Sequence, residues 1–356
     1  MYRSIIRISL LSAAVVMMMS CRDAISGVVG GRHPFVDKVL HDSTETGNAV
    51  LARYDRMNRK GAIALVGPSD ECAVLSDYLI SSDIFDNVDG RKVGDWLPDF
   101  AGETIESCMD MSNVPYSQRN EDEVTEMALR GALFAVSDSC YLPDGIGKRA
   151  KKPAKIVLLS SSVMSVSGYK DVDTLFAAVG LGVPVISHAH VLAEQAYGHS
   201  MSGSRIGVWA EKDVLAAGVY TSVFHDMSVA GMHMDYVCYS PEGYYDIKDG
   251  FRRFLDMYGA SSGDMPLSAL LIDDIHLSSF AGGLDEYAAS LRADIRYSGL
   301  LADDFRVIDA LSAMAAGTFR VMRERNSFTH KVALPETAGY VAESGQELER
   351  MRYVCK

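Results

Sequence analysis

Two ionisable side chains, Asp274 and His276, directly follow the apolar run Leu267–Ile272. An aspartate and a histidine at one strand end are residue types that can act as a proton-accepting base and its partner. The alternative is a polar loop in which both side chains are solvated. We treat Asp274 and His276 as candidate catalytic residues.

A row of three serines, Ser160-Ser161-Ser162, follows the apolar run Ile156–Leu159. Their hydroxyl and backbone N–H groups could bind a carboxylate or a phosphate. The alternative is a helix N-cap, a position that serine favours in any case. Ser160 and Ser162 are therefore candidate ligand-binding residues.

Two further positions could complete a site at the same edge. His188 and His190 follow Val183–Ile186, and in an extended backbone they could share a face with a metal ion. The alternative is ordinary hydrogen bonding, and because spacing identifies no third ligand we predict no metal and no cofactor. We keep His188 as a candidate ligand-binding residue. Ser69, which follows an earlier apolar run, is either a further one or part of a plain turn.

Short β-branched runs alternate with helix-length segments along most of the chain. Ile156–Leu159, Val183–Ile186 and Ile206–Trp209 are separated by segments with apolar residues at helical spacing. Strand, helix, strand in this order is typical of parallel βαβ units, so we predict an α/β fold with parallel sheets. In such sheets ligands bind outside the carboxyl ends of the strands, where the polar residues above are predicted to lie.

The segment before residue 155 is predicted to begin the same alternation. Gly61–Gly67 has the composition of a buried strand, and Asn120–Val136 that of an amphipathic helix. Between them, Asp99 could cap a helix that runs through Cys108.

The composition argues against some classes of function and against a disulfide framework. The net charge of −13 argues against nucleic-acid binding and against a basic membrane-binding face. After Cys21 five cysteines remain at irregular spacing, so we predict no disulfide framework, although one incidental bridge is possible in an oxidising compartment.

The first 21 residues have the architecture of an export signal. Arg3 and Arg7 form a positively charged n-region, and Ile5–Met19 is an apolar h-region that is too short for a comfortable membrane span. The ending Ser20-Cys21 resembles a bacterial lipoprotein signal, in which the cysteine becomes the lipidated first residue of the mature chain. The alternative is an ordinary secretory signal. We expect a cell-envelope protein, periplasmic or surface-facing, that is attached to the membrane only through acyl chains on Cys21.

The order of several motifs resembles the aspartate/glutamate racemase superfamily. Arg205–Ala210, followed by Gly218-Val219-Tyr220, is similar to the "rIGvLaT" strand and the Gly-x-Tyr-like step that open the family's second domain. Val183–Ile186 resembles its "PVi" strand, and Val307–Asp309 its closing "vID" segment. The similarity covers roughly residues 155–325.

The sequence departs from that family where the resemblance implies catalysis. The family uses two cysteines, one per domain, as acid and base on opposite faces of the substrate α-carbon. Here the first position falls on Ser160 or Ser161, which makes Ser161 a tentative catalytic residue. The family's "LGCTH" places Asp274 at the second cysteine and His276 at the histidine. A serine hydroxyl has too high a pKa to replace a thiolate without an activating partner, so two-cysteine racemisation is not expected.

The resemblance implies two similar parallel-sheet α/β domains with a cleft between them. We predict a signal peptide over residues 1–21, a tether over 22–50, domains over 51–200 and 201–325, and a C-terminal segment over 326–356 that packs back. The expected function is binding of a small carboxylate or amino-acid-like ligand in the cleft, or altered acid/base chemistry. The alternatives are a solute-binding lipoprotein like the type I periplasmic binding proteins, whose chains cross between domains more often, and a partner-binding protein with a closed cleft. The sequence leaves the oligomeric state open.

Overall fold

Twelve strands lie in the part of the chain that the computed structural model describes, which is residues 32–56, 58, 60–199, 204–243, 245–261, 263–343, 348 and 351–356. They are β1 (Ala62–Pro68), β2 (Thr104–Asp110), β3 (Ser139–Tyr141), β4 (Lys148–Ala150), β5 (Ala154–Leu159), β6 (Val185–Ser187), β7 (Arg205–Trp209), β8 (Tyr236–Tyr239), β9 (Leu267–Ile272), β10 (Leu301–Asp309), β11 (Glu336–Glu343) and β12 (Arg352–Cys355).

The helices of the described residues alternate with these strands. They are α1 (Pro34–His41), α2 (Thr46–Arg53), α3 (Ser69–Ser81), α4 (Glu121–Val136), α5 (Ser162–Ser167), α6 (Tyr169–Ala178), α7 (His188–His199), α8 (Lys212–Ala216), α9 (Val219–Val229), α10 (Ile247–Ser261), α11 (Ile275–Ser278), α12 (Leu284–Leu291) and α13 (Ala310–Glu324). No described helix is long and apolar enough to cross a membrane.

The strands form two sheets, and these define two domains. The first sheet has eight strands in the order β4-β3-β12-β11-β2-β1-β5-β6, and the second has four in the order β10-β9-β7-β8. The second sheet is parallel throughout, whereas the first contains two antiparallel pairs, β11–β12 and β3–β4. The predicted α/β class with parallel sheets is confirmed.

The central strands of the first sheet are buried on both faces. Every residue of β1, β2 and β5 is buried, as is usual for parallel strands that helices cover on both sides. The predicted helix through Cys108 is wrong, because that segment is the central strand β2. Asp99 instead caps a loop, where its carboxylate accepts hydrogen bonds from the backbone N–H groups of Ile84 and Phe85 at 3.0 and 2.9 Å.

Within the described part of the chain there are two crossings between the sheets, from α7 into β7 and from β10 into α13. Helix α13 belongs by sequence to the predicted second domain, yet it packs against α3 and α7. Tyr78 of α3 lies 3.0 Å from Ser312 through their hydroxyls, and the Gln195 amide of α7 donates to the Ala313 carbonyl at 3.1 Å. Strands β11 and β12 then join the first sheet.

The predicted tether over residues 22–50 is wrong for its second half. Residues 34–53 form α1 and α2, and the side chains of Phe35, Val36 and Val39 are buried. These apolar residues lie on one face of α1, which provides the driving force for docking. Residues 22–31 lie outside the described residues, as do the predicted signal peptide and Cys21.

Candidate functional site

The carboxyl ends of β5 and β6 in the first domain face those of β7 and β9 in the second. Hydrogen bonds cross the boundary between the domains here. The hydroxyl of Ser162 donates to the Asp273 carboxylate at 3.1 Å, and His188 contacts Asp273 from the same side. The structure therefore brings together two of the predicted residues, Ser162 and His188, around an aspartate that the sequence analysis did not select.

Asp273 is the centre of a buried polar network. Its side chain is 4% exposed and also accepts a hydrogen bond from the Tyr220 hydroxyl at 2.6 Å. Burial raises the pKa of Asp273, and the neighbouring His188 opposes that effect. Tyr220 and Ser162 satisfy the carboxylate, so buried hydrogen bonds connect the two domains at this point.

His188 bridges two main-chain groups, one from each domain. Its Nδ1 faces the carbonyl oxygen of Ser160, and its Nε2 lies 3.0 Å from the carbonyl oxygen of Asp273. The Asp273 carboxylate also lies 3.5 Å from Nε2.

Ser160 and Ser161 lie in different surroundings. Ser160 is fully buried, and its hydroxyl contacts the Val66 carbonyl at 3.3 Å and the Cys72 sulfur at 3.5 Å. Gly67 allows this close approach, because a Cβ there would collide with the Ser160 oxygen. Ser161 occupies the N-cap position of α5, where its side chain makes no capping hydrogen bond.

Cys72 is the thiol nearest to the position where the family resemblance implies a cysteine. Burial raises the pKa of Cys72 to about 12. At neutral pH the side chain is therefore a thiol and not the thiolate that proton abstraction requires.

Asp274 and His276 do not pair through their side chains. One Asp274 oxygen accepts from the backbone N–H groups of His276 and Leu277, at 2.7 and 3.1 Å, and so caps α11. The His276 ring is exposed, and its Nε2 lies 3.3 Å from the carboxylate of Asp70. Ser69 precedes Asp70 as the first residue of α3, so it lies at the same edge.

His190 does not share a ligand position with His188. Its two ring nitrogens contact the Ser187 hydroxyl at 2.7 Å and the Asp226 carboxylate at 3.5 Å. Among the described residues no group of three or more histidines, cysteines or acidic residues could hold a metal ion.

A cavity of about 320 Å³ opens at the carboxyl edge of the second sheet, next to this network. Four carboxylates and one lysine line it, together with small and apolar residues. The lining residues are Trp209, Ala210, Glu211, Lys212, Asp213, Ser240, Pro241, Glu242, Asp274 and Leu277. The volume lies at the lower end of the range usual for small-molecule sites.

Carboxylates dominate the electrostatics of this edge. Burial raises the pKa of Glu211, and the charges of Asp274, Asp273 and Asp213 raise it further. Burial also raises the pKa of Glu71 well above its usual range, with Asp70 and Asp273 adding to the effect. One Glu71 oxygen is buried without a hydrogen-bond partner. Positive charge is therefore favoured here and negative charge is disfavoured.

Glutamate racemases are among the solved structures that this fold resembles. A glutamate racemase from Bacillus anthracis is 14% identical over 82% of this chain and 92% of its own, with a TM-score of 0.52. A glutamate racemase from Francisella tularensis, solved with D-glutamate, is 14% identical over 81% and 90% of the two chains, with a TM-score of 0.51. No family model and no curated protein matches the chain. The predicted racemase-like fold is confirmed.

The sequence analysis did not identify three site residues at this edge, namely Asp273, Tyr220 and Glu71. Asp273 directly follows β9, so its place at a strand end was visible, and Tyr220 belongs to the Gly-x-Tyr-like step. Glu71 gives no such signal, because an acidic residue in the first turn of a helix is common.

Proposed function

We propose that this protein is a lipid-anchored cell-envelope protein with a racemase-like fold that binds a small amino-acid-like ligand and does not racemise it through a cysteine pair. The observation that carries the proposal is the cavity beside Glu211, Lys212 and Asp274. An α-amino acid has an ammonium group that suits Glu211 and Asp274, and a carboxylate that suits Lys212. A ligand with negative charge alone would meet repulsion from four carboxylates.

The surroundings of the two family positions support the absence of two-cysteine chemistry. Ser160 is buried against Val66 and Cys72, and the Cys72 thiol is kept protonated by its burial. The Asp274 carboxylate accepts two backbone hydrogen bonds as the cap of α11, so its contacts are those of a structural residue.

The connectivity favours this proposal over the solute-binding alternative. Type I binding proteins cross between their domains several times, whereas this chain crosses twice among the described residues. The partner-binding alternative draws support from the Asp273 network, which occupies the boundary between the domains. Ligand binding separates these two alternatives.

The test is a thermal-shift screen of the full chain in detergent against amino acids, dicarboxylates, sugars and phosphates. A ligand that binds only the folded state stabilises it by about 2.7 kcal/mol at a concentration 100-fold above its Kd. We expect amino acids to raise the melting temperature and Glu211→Gln or Lys212→Met to reduce the shift. Asp304→Asn, which changes an exposed carboxylate of β10, is the matched control.

Two results would contradict the proposal. A shift from a sugar or from phosphate alone, unaffected by Glu211→Gln, would favour the solute-binding alternative. The absence of any shift across the panel would favour the partner-binding alternative.

A further inference from the structure

Cys140 and Cys355 lie on neighbouring strands of the first sheet. Strand β12 runs between β11 and β3, and it pairs with β3 through Val354 and Tyr141 in parallel register. Cys140 precedes Tyr141 and Cys355 follows Val354. Because side chains alternate between the two faces of a sheet, both cysteines lie on the face opposite to the paired residues.

The side chains of Cys140 and Cys355 are close enough to interact. The Cys140 thiol also lies 3.6 Å from the Arg149 carbonyl oxygen. Cys72 contacts Ser160, while Cys108 is buried in β2 and Cys238 is half-buried in β8. All five described cysteines are free in this structure.

We propose that Cys140 and Cys355 form an intramolecular disulfide bond when the protein is exported to an oxidising compartment. The inference uses the export component of the proposed function and is independent of the ligand. The disulfide bond would link β3 to β12 covalently in the oxidised protein only.

The chemistry is thiol–disulfide exchange with an external disulfide such as oxidised glutathione. Cys355 is half-buried and Cys140 only 2% exposed, so Cys355 is the accessible sulfur. Its thiolate attacks the external disulfide and releases one thiol. The Cys140 thiolate then attacks Cys355 in the mixed disulfide and releases the second thiol. The two cysteines lose two electrons and two protons, which the two released thiols carry.

The strand geometry allows the bond with a small local movement. Diagonal neighbours in a sheet have Cα atoms about 7–8 Å apart, and a disulfide requires about 4.4–6.8 Å. Strand β12 is held by a four-residue ladder with β11, whereas it shares a single residue pair with β3, so β3 is the strand that can shift towards β12 without breaking an extended ladder. The loop that the bond closes contains the whole second sheet, so the bond is expected to stabilise the fold.

The experiment treats the full chain in detergent with oxidised glutathione or with dithiothreitol, followed by alkylation and peptide mass mapping. We expect a cross-linked peptide pair with Cys140 and Cys355, and a melting temperature about 5–10 °C higher in the oxidised protein. Cys355→Ser must abolish both effects, whereas Cys238→Ser must leave both unchanged.

Two outcomes would overturn the proposal. One is alkylation of both cysteines after oxidation, and the other is a cross-link that joins a different pair. Cys140→Ser provides a second test of the pair, with circular dichroism to confirm that the variant is folded. None of these results depends on amino-acid binding, so failure here is distinguishable from failure of the ligand proposal.

Discussion

The Nε2 atom of His188 lies 3.0 Å from the main-chain oxygen of Asp273 and 3.5 Å from its carboxylate. This contact joins the start of α7 in the first domain to the end of β9 in the second. Because His188 also contacts the Ser160 carbonyl, one imidazole ring connects three of the polar strand ends. The boundary between the domains is therefore maintained by a buried polar network.

Removal of the His188 side chain should destabilise the protein strongly. We expect His188→Ala to lower the free energy of unfolding by about 2–5 kcal/mol, because buried polar groups of Ser160 and Asp273 lose their partner. The measurement is equilibrium urea unfolding at pH 7. His276→Ala, which changes an exposed histidine at the same edge, should stay within about 0.5 kcal/mol. Equal losses in the two variants would show that the His188 contacts do not stabilise the fold.

Glu71 should make the protein less stable as the pH rises. Its pKa is raised in the folded state, so the folded protein holds this proton more tightly than the unfolded chain does. The stabilisation is complete below the unfolded pKa of about 4.3, and it is lost as the pH rises through the folded pKa. We expect Glu71→Gln to be more stable than the parent by about 1–3 kcal/mol at pH 8, with the difference shrinking towards pH 4.

Urea unfolding of both proteins across that pH range measures the Glu71 effect. Glu121→Gln, which changes an exposed residue at the start of α4, is the control and should keep the pH dependence of the parent. A Glu71→Gln curve parallel to that of the parent at every pH would contradict the prediction.

Ligand binding should release protons at the cavity. The pKa of Glu211 is raised in the empty protein by its burial and by the Asp274 charge. A bound ammonium group favours the carboxylate, so binding lowers that pKa and releases part of a proton, and affinity increases with pH. Isothermal titration calorimetry in two buffers with different ionisation enthalpies measures the proton count. Proton uptake, or an identical count in Glu211→Gln, would contradict this assignment.

The proposed lipidation of Cys21 predicts that membrane location depends on this one residue. The parent protein should fractionate with membranes and incorporate a labelled fatty acid. Cys21→Ser should remain in the soluble fraction and incorporate none, because a soluble domain without acyl chains has no anchor. Recovery of the Cys21→Ser variant in the membrane fraction would contradict the lipoprotein assignment.

The strand ends were predictable because parallel strands are made of short apolar runs. Strand β9 has the predicted bounds Leu267–Ile272, and α4 begins after the predicted Asn120, whose side chain accepts from the Glu123 N–H. The resemblance placed Asp274 at a family catalytic position, but its neighbour Asp273 enters the network. A difference of one residue reverses the direction of a side chain, and spacing alone does not resolve it.

Strand β2 was not predictable because tertiary contacts decide it. Glu106 lies in the middle of this buried strand, where a charged residue is normally unfavourable. The Lys151 ammonium, 3.0 Å from the Glu106 carboxylate, compensates that charge from a distant part of the chain. No local pattern reveals such a partner.

A second buried ion pair gives a prediction with an internal control. The Lys155 ammonium lies 2.6 Å from the Glu103 carboxylate and donates to the Ser327 carbonyl at 2.6 Å, while Glu103 accepts from the Thr329 N–H at 2.7 Å. The pair thereby fastens the segment that returns from α13 to β11. We expect Lys155→Met to cost about 3–5 kcal/mol of unfolding free energy, because Glu103 is left buried and unpaired.

The neighbouring Lys152 provides the comparison for Lys155→Met. Its ammonium lies 3.6 Å from the Glu336 carboxylate, and both side chains are more than half exposed. Lys152→Met should therefore cost about 1 kcal/mol or less, since exposed pairs contribute little. Replacement of both buried partners, Lys155→Met with Glu103→Leu, should recover much of the loss, because no unpaired charge remains. If the double variant is as unstable as Lys155→Met alone, packing around the lysine stem accounts for the loss, and the unpaired charge does not.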